Sequence, residues 1–69
     1  MRREQILGEN IGSVRRAEGM SVEELAKAVG ISATCMRNAE RGQGDLSFDV
    51  LTRIADALKI SGYDLTAGT

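Results

Sequence analysis

The chain has no histidine, no proline, no tryptophan and a single cysteine, and only Phe48 and Tyr63 are aromatic. Each absence excludes something. One cysteine cannot close an internal disulfide, so no covalent staple holds the fold. Without histidine the usual Cys/His zinc sites cannot form, and neither a metal nor another cofactor is expected. The same lack removes the commonest general acid–base group, and no poised nucleophile takes its place, so an enzyme is not the expected class. Without proline, no ring interrupts a helix interior. No stretch approaches the roughly 18 apolar residues that a membrane-spanning helix needs. The opening MRREQILGEN carries charge with no apolar run behind it, which is not the pattern of a signal peptide, and the expected compartment is the cytoplasm.

What is present is 69 residues, 42% of them hydrophobic, with eight glycines. That suits a single domain over residues 1–69, near the lower limit of what one apolar core can hold. Nine Lys and Arg against ten Asp and Glu leave a formal net charge of −1. An acidic total does not exclude a nucleic-acid partner, because DNA meets one face and the local field there sets phosphate contact.

Glycines and serines punctuate a helical pattern. Leu7, Ile11 and Val14 recur at i, i+4 and i+7, which predicts a first helix over Arg3 to Glu18. Gly8 and Gly12 inside it are expected to weaken it by up to ~1 kcal/mol each relative to Ala, and Gly19 to end it. Ser21-Val22-Glu23-Glu24 reads as a capping box. It opens a helix to about Val29 with Leu25, Ala26 and Val29 inward, closed by Gly30. Ser32 caps a third helix, Ala33 to Arg41, with Ile31, Cys35, Met36 and Ala39 inward, and Gly42 closes it. Cys35 is expected to be a small buried hydrophobe. After the loop GQGDL, which joins helices and lacks the strand and lysine of a phosphate cradle, Ser47 opens a fourth helix to Leu58. Its expected apolar face holds Phe48, Leu51, Ile54, Ala55 and Leu58. Ser61 caps a final turn with Tyr63 and Leu65, and residues 67–69 are expected to fray.

The second and third helices are separated only by Gly30-Ile31-Ser32, which is helix-turn-helix spacing, at about residues 21–42. Such a crossing needs a small residue where the helices touch, a residue able to take positive φ in the turn, and apolar side chains filling the angle. Ala26, Gly30 and the set Leu25, Val29, Ile31, Met36 and Ala39 meet those demands.

With the stretches LGENIGSVRRAEGMSVEELAKAVGIS, RNAERG and LSFDVLTRIADALKIS in register, the chain resembles the helix-turn-helix domain of lambdoid phage repressors and Cro proteins, also called the XRE family. The resemblance runs from about Leu7 to Leu65. It implies an all-α fold, a compact bundle of five short helices, with the third helix in the major groove of double-stranded DNA. The implied function is a sequence-specific transcriptional regulator, in the manner of a repressor binding a palindromic operator as a homodimer. The family's base-reading side chains fall on Ala33, Thr34, Arg37 and Asn38. Their chemistry agrees: Asn can pair with adenine, Arg with guanine, and Thr or Ala can touch a thymine methyl. Phosphate contacts fall on Ser32, Arg41 and the backbone N–H of Val22. Apart from the resemblance, Arg16, with Arg2 and Arg3, is a candidate phosphate contact by its charge, the plain alternative being a solvated basic face. Arg15 and Glu40 fall where the family has an ion pair between the first and third helices. Leu46, Ile60 and Tyr63 fall at its dimer seam.

The sequence departs from the family in three places. Val22 stands where a Gln would brace a phosphate and a base contact. Asp45 stands in a loop that is usually basic and carries a Pro. Ala39 is smaller than the usual Ile, Leu or Trp. Val22, Asp45 and the acidic balance of the chain motivate a second reading, a protein-interaction module such as an antitoxin or anti-repressor subunit with weak or no DNA binding. The plain alternative for Thr34, Arg37 and Asn38 is a solvated helix face. No small-molecule ligand and no membrane partner are expected.

Overall fold

The computed structural model describes residues 3–44, 46–65 and 67. Among the described residues five helices follow in order: α1 (Arg3–Ala17), α2 (Val22–Val29), α3 (Ala33–Glu40), α4 (Phe48–Leu58) and α5 (Gly62–Leu65). No strand occurs among the described residues. The expectations placed on Arg2, on Asp45 and on the tail residues 68 and 69 lie outside the described residues.

Serines set where α2 to α5 begin. The hydroxyls of Ser21, Ser32, Ser47 and Ser61 accept from the N–H groups of Glu24 (3.0 Å), Cys35 (3.0 Å), Val50 (3.2 Å) and Asp64 (3.0 Å). Each satisfies an N–H that the helix itself leaves without a partner, a contribution of about 1 kcal/mol per cap. At Ser21 the box is reciprocal, because its own N–H donates to Glu24 Oε1 at 2.9 Å. Left-handed residues set where helices stop: Gly30 after α2 at φ 88° and, without the help of a glycine, Lys59 after α4 at φ 59°.

Every helix sends at least one side chain to the centre. Ile11, Leu25, Met36, Ile54, Leu58 and Leu65 are fully buried there, and each removes apolar surface worth about 1.5–3 kcal/mol from water. Smaller residues, Ala26, Val29 and Ala55, fill the crossings. The described residues include no buried polar or charged residue.

Three expectations are corrected. Gly8 and Gly12 are not merely weak points of α1. Both are buried, and a β-carbon on Gly8 would stand 2.5 Å from the carbonyl oxygen of Ala39 and 2.7 Å from that of Glu40. Gly8 lets the backbone at the end of α3 lie directly on α1, and Gly12 leaves room for the Glu40 side chain.

Cys35 is exposed, not a core residue. α3 is only eight residues long, and its buried stripe is Met36 and Ala39, three apart. Cys35 lies about 100° around the helix from Met36 and faces outward.

Phe48 is 85% exposed. It shares a stripe with Leu51 and Ala55, but burial grows along that stripe only as α4 enters the bundle, and Phe48 stands at the first position of the helix, short of it. Two boundaries also move by one residue: α1 ends at Ala17 and α3 at Glu40.

Candidate nucleic-acid interface

α2 and α3 meet through a three-residue turn. Gly30 takes φ 88°, ψ 30°, and the N–H groups of Gly30 and Ile31 both donate to the carbonyl of Ala26, at 2.8 and 3.0 Å. These two hydrogen bonds to one carbonyl close α2 as the chain turns sharply. Ser32, extended at φ −73°, ψ 155°, then starts α3. Leu25, Ala26 and Val29 of α2 and Met36 and Ala39 of α3 are buried. The two short helices are therefore set by packing from within and by caps from without.

This packing fixes which side chains of α3 face outward. Thr34 and Arg37 are exposed and Asn38 is half-buried. Ala33 is half-buried and packs against the core cluster, so it presents less surface than Thr34 and Arg37. Ser32 and Arg41, at the two ends of α3, are exposed, as is Arg16 on α1; Val22, in the first turn of α2, is half-buried against the core. A concavity of about 270 Å³ runs beside α3, between Ser32, Thr34, Cys35 and Asn38 on the helix and Gln43 and Gly44 in the following loop.

Arg37 does not stand alone on that face. Its Nη2 donates to Glu23 Oε2 in the first turn of α2, and both side chains are about half exposed. Sequence reasoning passed over Glu23, because a contact between residues 14 apart on two crossing helices leaves no trace in the spacing along either helix.

Behind α3 lies a second, more enclosed pair. Arg15 Nε donates to Glu40 Oε2 at 2.7 Å and Nη2 to Glu40 Oε1 at 3.1 Å, while Nη1 donates to the carbonyl of Met20 at 2.8 Å. The side chains are 11% and 13% exposed. The hydrogen bond to Glu40 raises the Arg15 pKa, burial opposes it, and the charges of Glu40 and Glu23 add to it. Arg15 thus stays charged, and it ties the C-terminal end of α3 both to α1 and to the turn before α2.

The residues expected at a dimer seam separate. Ile60 and Tyr63 line one groove of about 500 Å³ between α4 and α5, with Phe48, Leu51 and Ala55. Phe48 and Tyr63, each 85% exposed, flank it. Leu46 lies elsewhere, half-buried beside Leu7 and Ala39. Asn10 of α1 supports the groove from behind: its Nδ2 donates to the carbonyls of Leu65 (3.0 Å) and Ala67 (2.8 Å). No group of His, Cys, Asp and Glu among the described residues is placed to hold a metal ion. No helix there is long and apolar enough to cross a membrane.

Two short capped helices joined through a left-handed glycine, the second laid open along one face, define a helix-turn-helix domain. The chain belongs to the helix-turn-helix family of transcriptional regulators, whose helix-turn-helix domain profile matches residues 6–67. A Bacillus subtilis (strain 168) protein, the uncharacterized HTH-type transcriptional regulator YazB, is 36% identical over 61 residues, covering 88% of each chain. The restriction-modification controller protein C.AhdI from Aeromonas hydrophila superposes with a TM-score of 0.86 at 31% identity, over 88% of this chain and 92% of that one. The P22 c2 repressor, solved with a synthetic operator, superposes with a TM-score of 0.83 at 27% identity, over 91% and 96%. The all-helical, phage-repressor-like architecture is thus shown. All three relatives are named as regulators, none as an enzyme.

Proposed function

We propose that this protein binds double-stranded DNA sequence-specifically and represses transcription by occupying a palindromic operator as a homodimer. The observation that carries the reading is the outward face of α3, where Arg37 and Asn38 present hydrogen-bonding groups of the kinds that read guanine and adenine edges in the major groove and Thr34 presents a methyl of the kind that meets a thymine methyl. Ser32, Arg41, Arg16 and the N–H of Val22 would take phosphates around it, and an open helix N-terminus favours such anions. Ala33 would contribute at most a methyl contact. The operator bound in the P22 c2 repressor structure supports this mode for a domain of the same architecture.

A single copy offers few cations to DNA, so two copies on half-sites one helical turn apart, ~34 Å, would supply the affinity. The groove between α4 and α5, with Phe48, Ile60 and Tyr63, is the apolar surface available for that pairing. The protein would act where the DNA is, in the cytoplasm.

The test is selection of binding sites from a random duplex pool, followed by anisotropy on the winner at several salt concentrations. A palindromic winner is expected, with affinity that falls steeply with salt and specificity relaxed by Asn38→Ala at one base position. Substituting Tyr63→Arg should weaken binding to the full palindrome at least tenfold while leaving binding to a single half-site unchanged. Folded protein that enriches no sequence at low salt would sink the repressor reading. One observation favours the second reading, a protein-interaction module: the Glu23 carboxylate offsets the charge of Arg37 on the face that would meet phosphates. A failed selection would redirect the search to a protein partner.

A further inference from the structure

Glu23 is a negative charge placed where DNA would lie. It sits in the first turn of α2, one residue beyond Val22, whose N–H is a proposed phosphate donor, and its neutralising partner is a proposed base reader. Resting on the DNA-binding reading above, we infer that Glu23 is a specificity-determining residue that holds Arg37 to guanine and selects the neighbouring base, at the expense of overall affinity.

Consider what each arrangement on DNA would cost. If Arg37 released Glu23 to reach a phosphate, a lone carboxylate would be left facing the polyanion, which is unfavourable. If Arg37 keeps Glu23, both charges stay satisfied. A guanidinium has five N–H groups in one plane. The bond to Glu23 uses one hydrogen on Nη2, so the rest of the fork is free to meet guanine O6 and N7 as a pair, with the guanidinium held over the face of α3 in advance. The pair therefore resists use as a generic phosphate clamp and favours base readout.

The carboxylate itself also discriminates. It can only accept hydrogen bonds. In the major groove cytosine N4 and adenine N6 offer a donor, whereas guanine O6 and N7 and thymine O4 are acceptors that would repel it. The step next to the guanine should therefore prefer cytosine or adenine opposite Glu23. Because the Glu23–Arg37 pair is exposed, it contributes little to folding, so it can be altered without unfolding the chain.

The test compares the wild-type chain with Glu23→Gln, each checked for folding by its thermal melt. Site selection with wild type and Arg37→Ala locates the guanine, as the position whose preference Arg37→Ala erases. Anisotropy then measures each protein on the selected duplex and on one with that guanine replaced by adenine. Glu23→Gln is expected to bind the replaced duplex more tightly than wild type does, so that the discrimination ratio falls by about tenfold, the range of one bidentate base contact. An unchanged ratio would overturn the inference alone. Enrichment of no site by the folded wild-type chain would overturn both the inference and the DNA-binding reading.

Discussion

Gly8 of α1 and Ala39 of α3 touch backbone to backbone: a β-carbon on Gly8 would lie 2.5 Å from the Ala39 carbonyl oxygen. Helix propensity alone makes Gly8→Ala stabilising by up to about 1 kcal/mol. The contact reverses that sign, because the obstructing atoms are backbone and cannot swing aside. Gly8→Ala is expected to destabilise by about 2–3 kcal/mol, within the range for overpacking a close contact. At Gly12 the nearest atoms are side-chain ends, Glu40 Oε1 at 3.0 Å and Arg16 Nη1 at 3.1 Å, so Gly12→Ala should cost less. Urea melts of the two variants measure the difference, and a Gly8→Ala variant as stable as wild type would contradict the packing.

The Arg15–Glu40 pair should behave as a coupled unit. Truncating one partner leaves the other charge in a largely enclosed place, so Arg15→Met or Glu40→Met alone should each cost about 3 kcal/mol. The double variant should recover much of that loss, because no lone charge remains. A double-mutant cycle by chemical denaturation gives the coupling directly. Additive losses would show that the two residues act separately.

Acid should weaken the start of α2. The Ser21 N–H foremost, and then the Ser21 side chain, hold the Glu24 carboxyl below its ordinary 4.5. A depressed folded-state pKa gives a contribution that is present above the unfolded value and lost as pH falls through the folded one. Wild-type stability should therefore decline with acidification below about pH 4.5 more steeply than that of Glu24→Gln. Parallel pH profiles of the two proteins would remove Glu24 as a source of the acid response.

Lys59 closes α4 in a left-handed conformation, φ 59°. A side chain there costs about 1–2 kcal/mol, and glycine relieves it while making the unfolded chain more flexible. Lys59→Gly should gain about 0.5–1 kcal/mol net, raising the melting temperature by roughly 2–8 °C in a domain this small. An unchanged or lower melting temperature by calorimetry would show that Lys59 makes a compensating contact.

Much of this architecture was legible in the sequence because its signals are local. Serine three residues before a capped N–H, glycine just past a helix, and apolar residues at i, i+3 and i+4 are each read from a single segment, and they place α1 to α5 within a residue or two. The small Ala26 and the Gly30 turn carry the helix-turn-helix for the same reason. What was not legible depends on two segments at once. Gly8 reads as a weak point until Ala39 is set against it. Cys35 and Phe48 read as core because periodicity reports a face of a helix but not how far the partner helices extend to cover it. Glu23 reads as an ordinary first-turn acid until α2 and α3 cross, and only then does it meet Arg37.

The contact through Gly8 also bears on how a protein like this can change. α3 is held from behind by backbone on backbone, by the Arg15–Glu40 pair, and by Met36 and Ala39. None of these uses Thr34, Arg37 or Asn38. The residues that would choose a sequence are therefore nearly separate from the residues that keep the chain folded. Substitutions on the outward face can alter recognition with little loss of stability, so one scaffold of this size can be redirected to a new site by a handful of changes, in the laboratory or by natural selection.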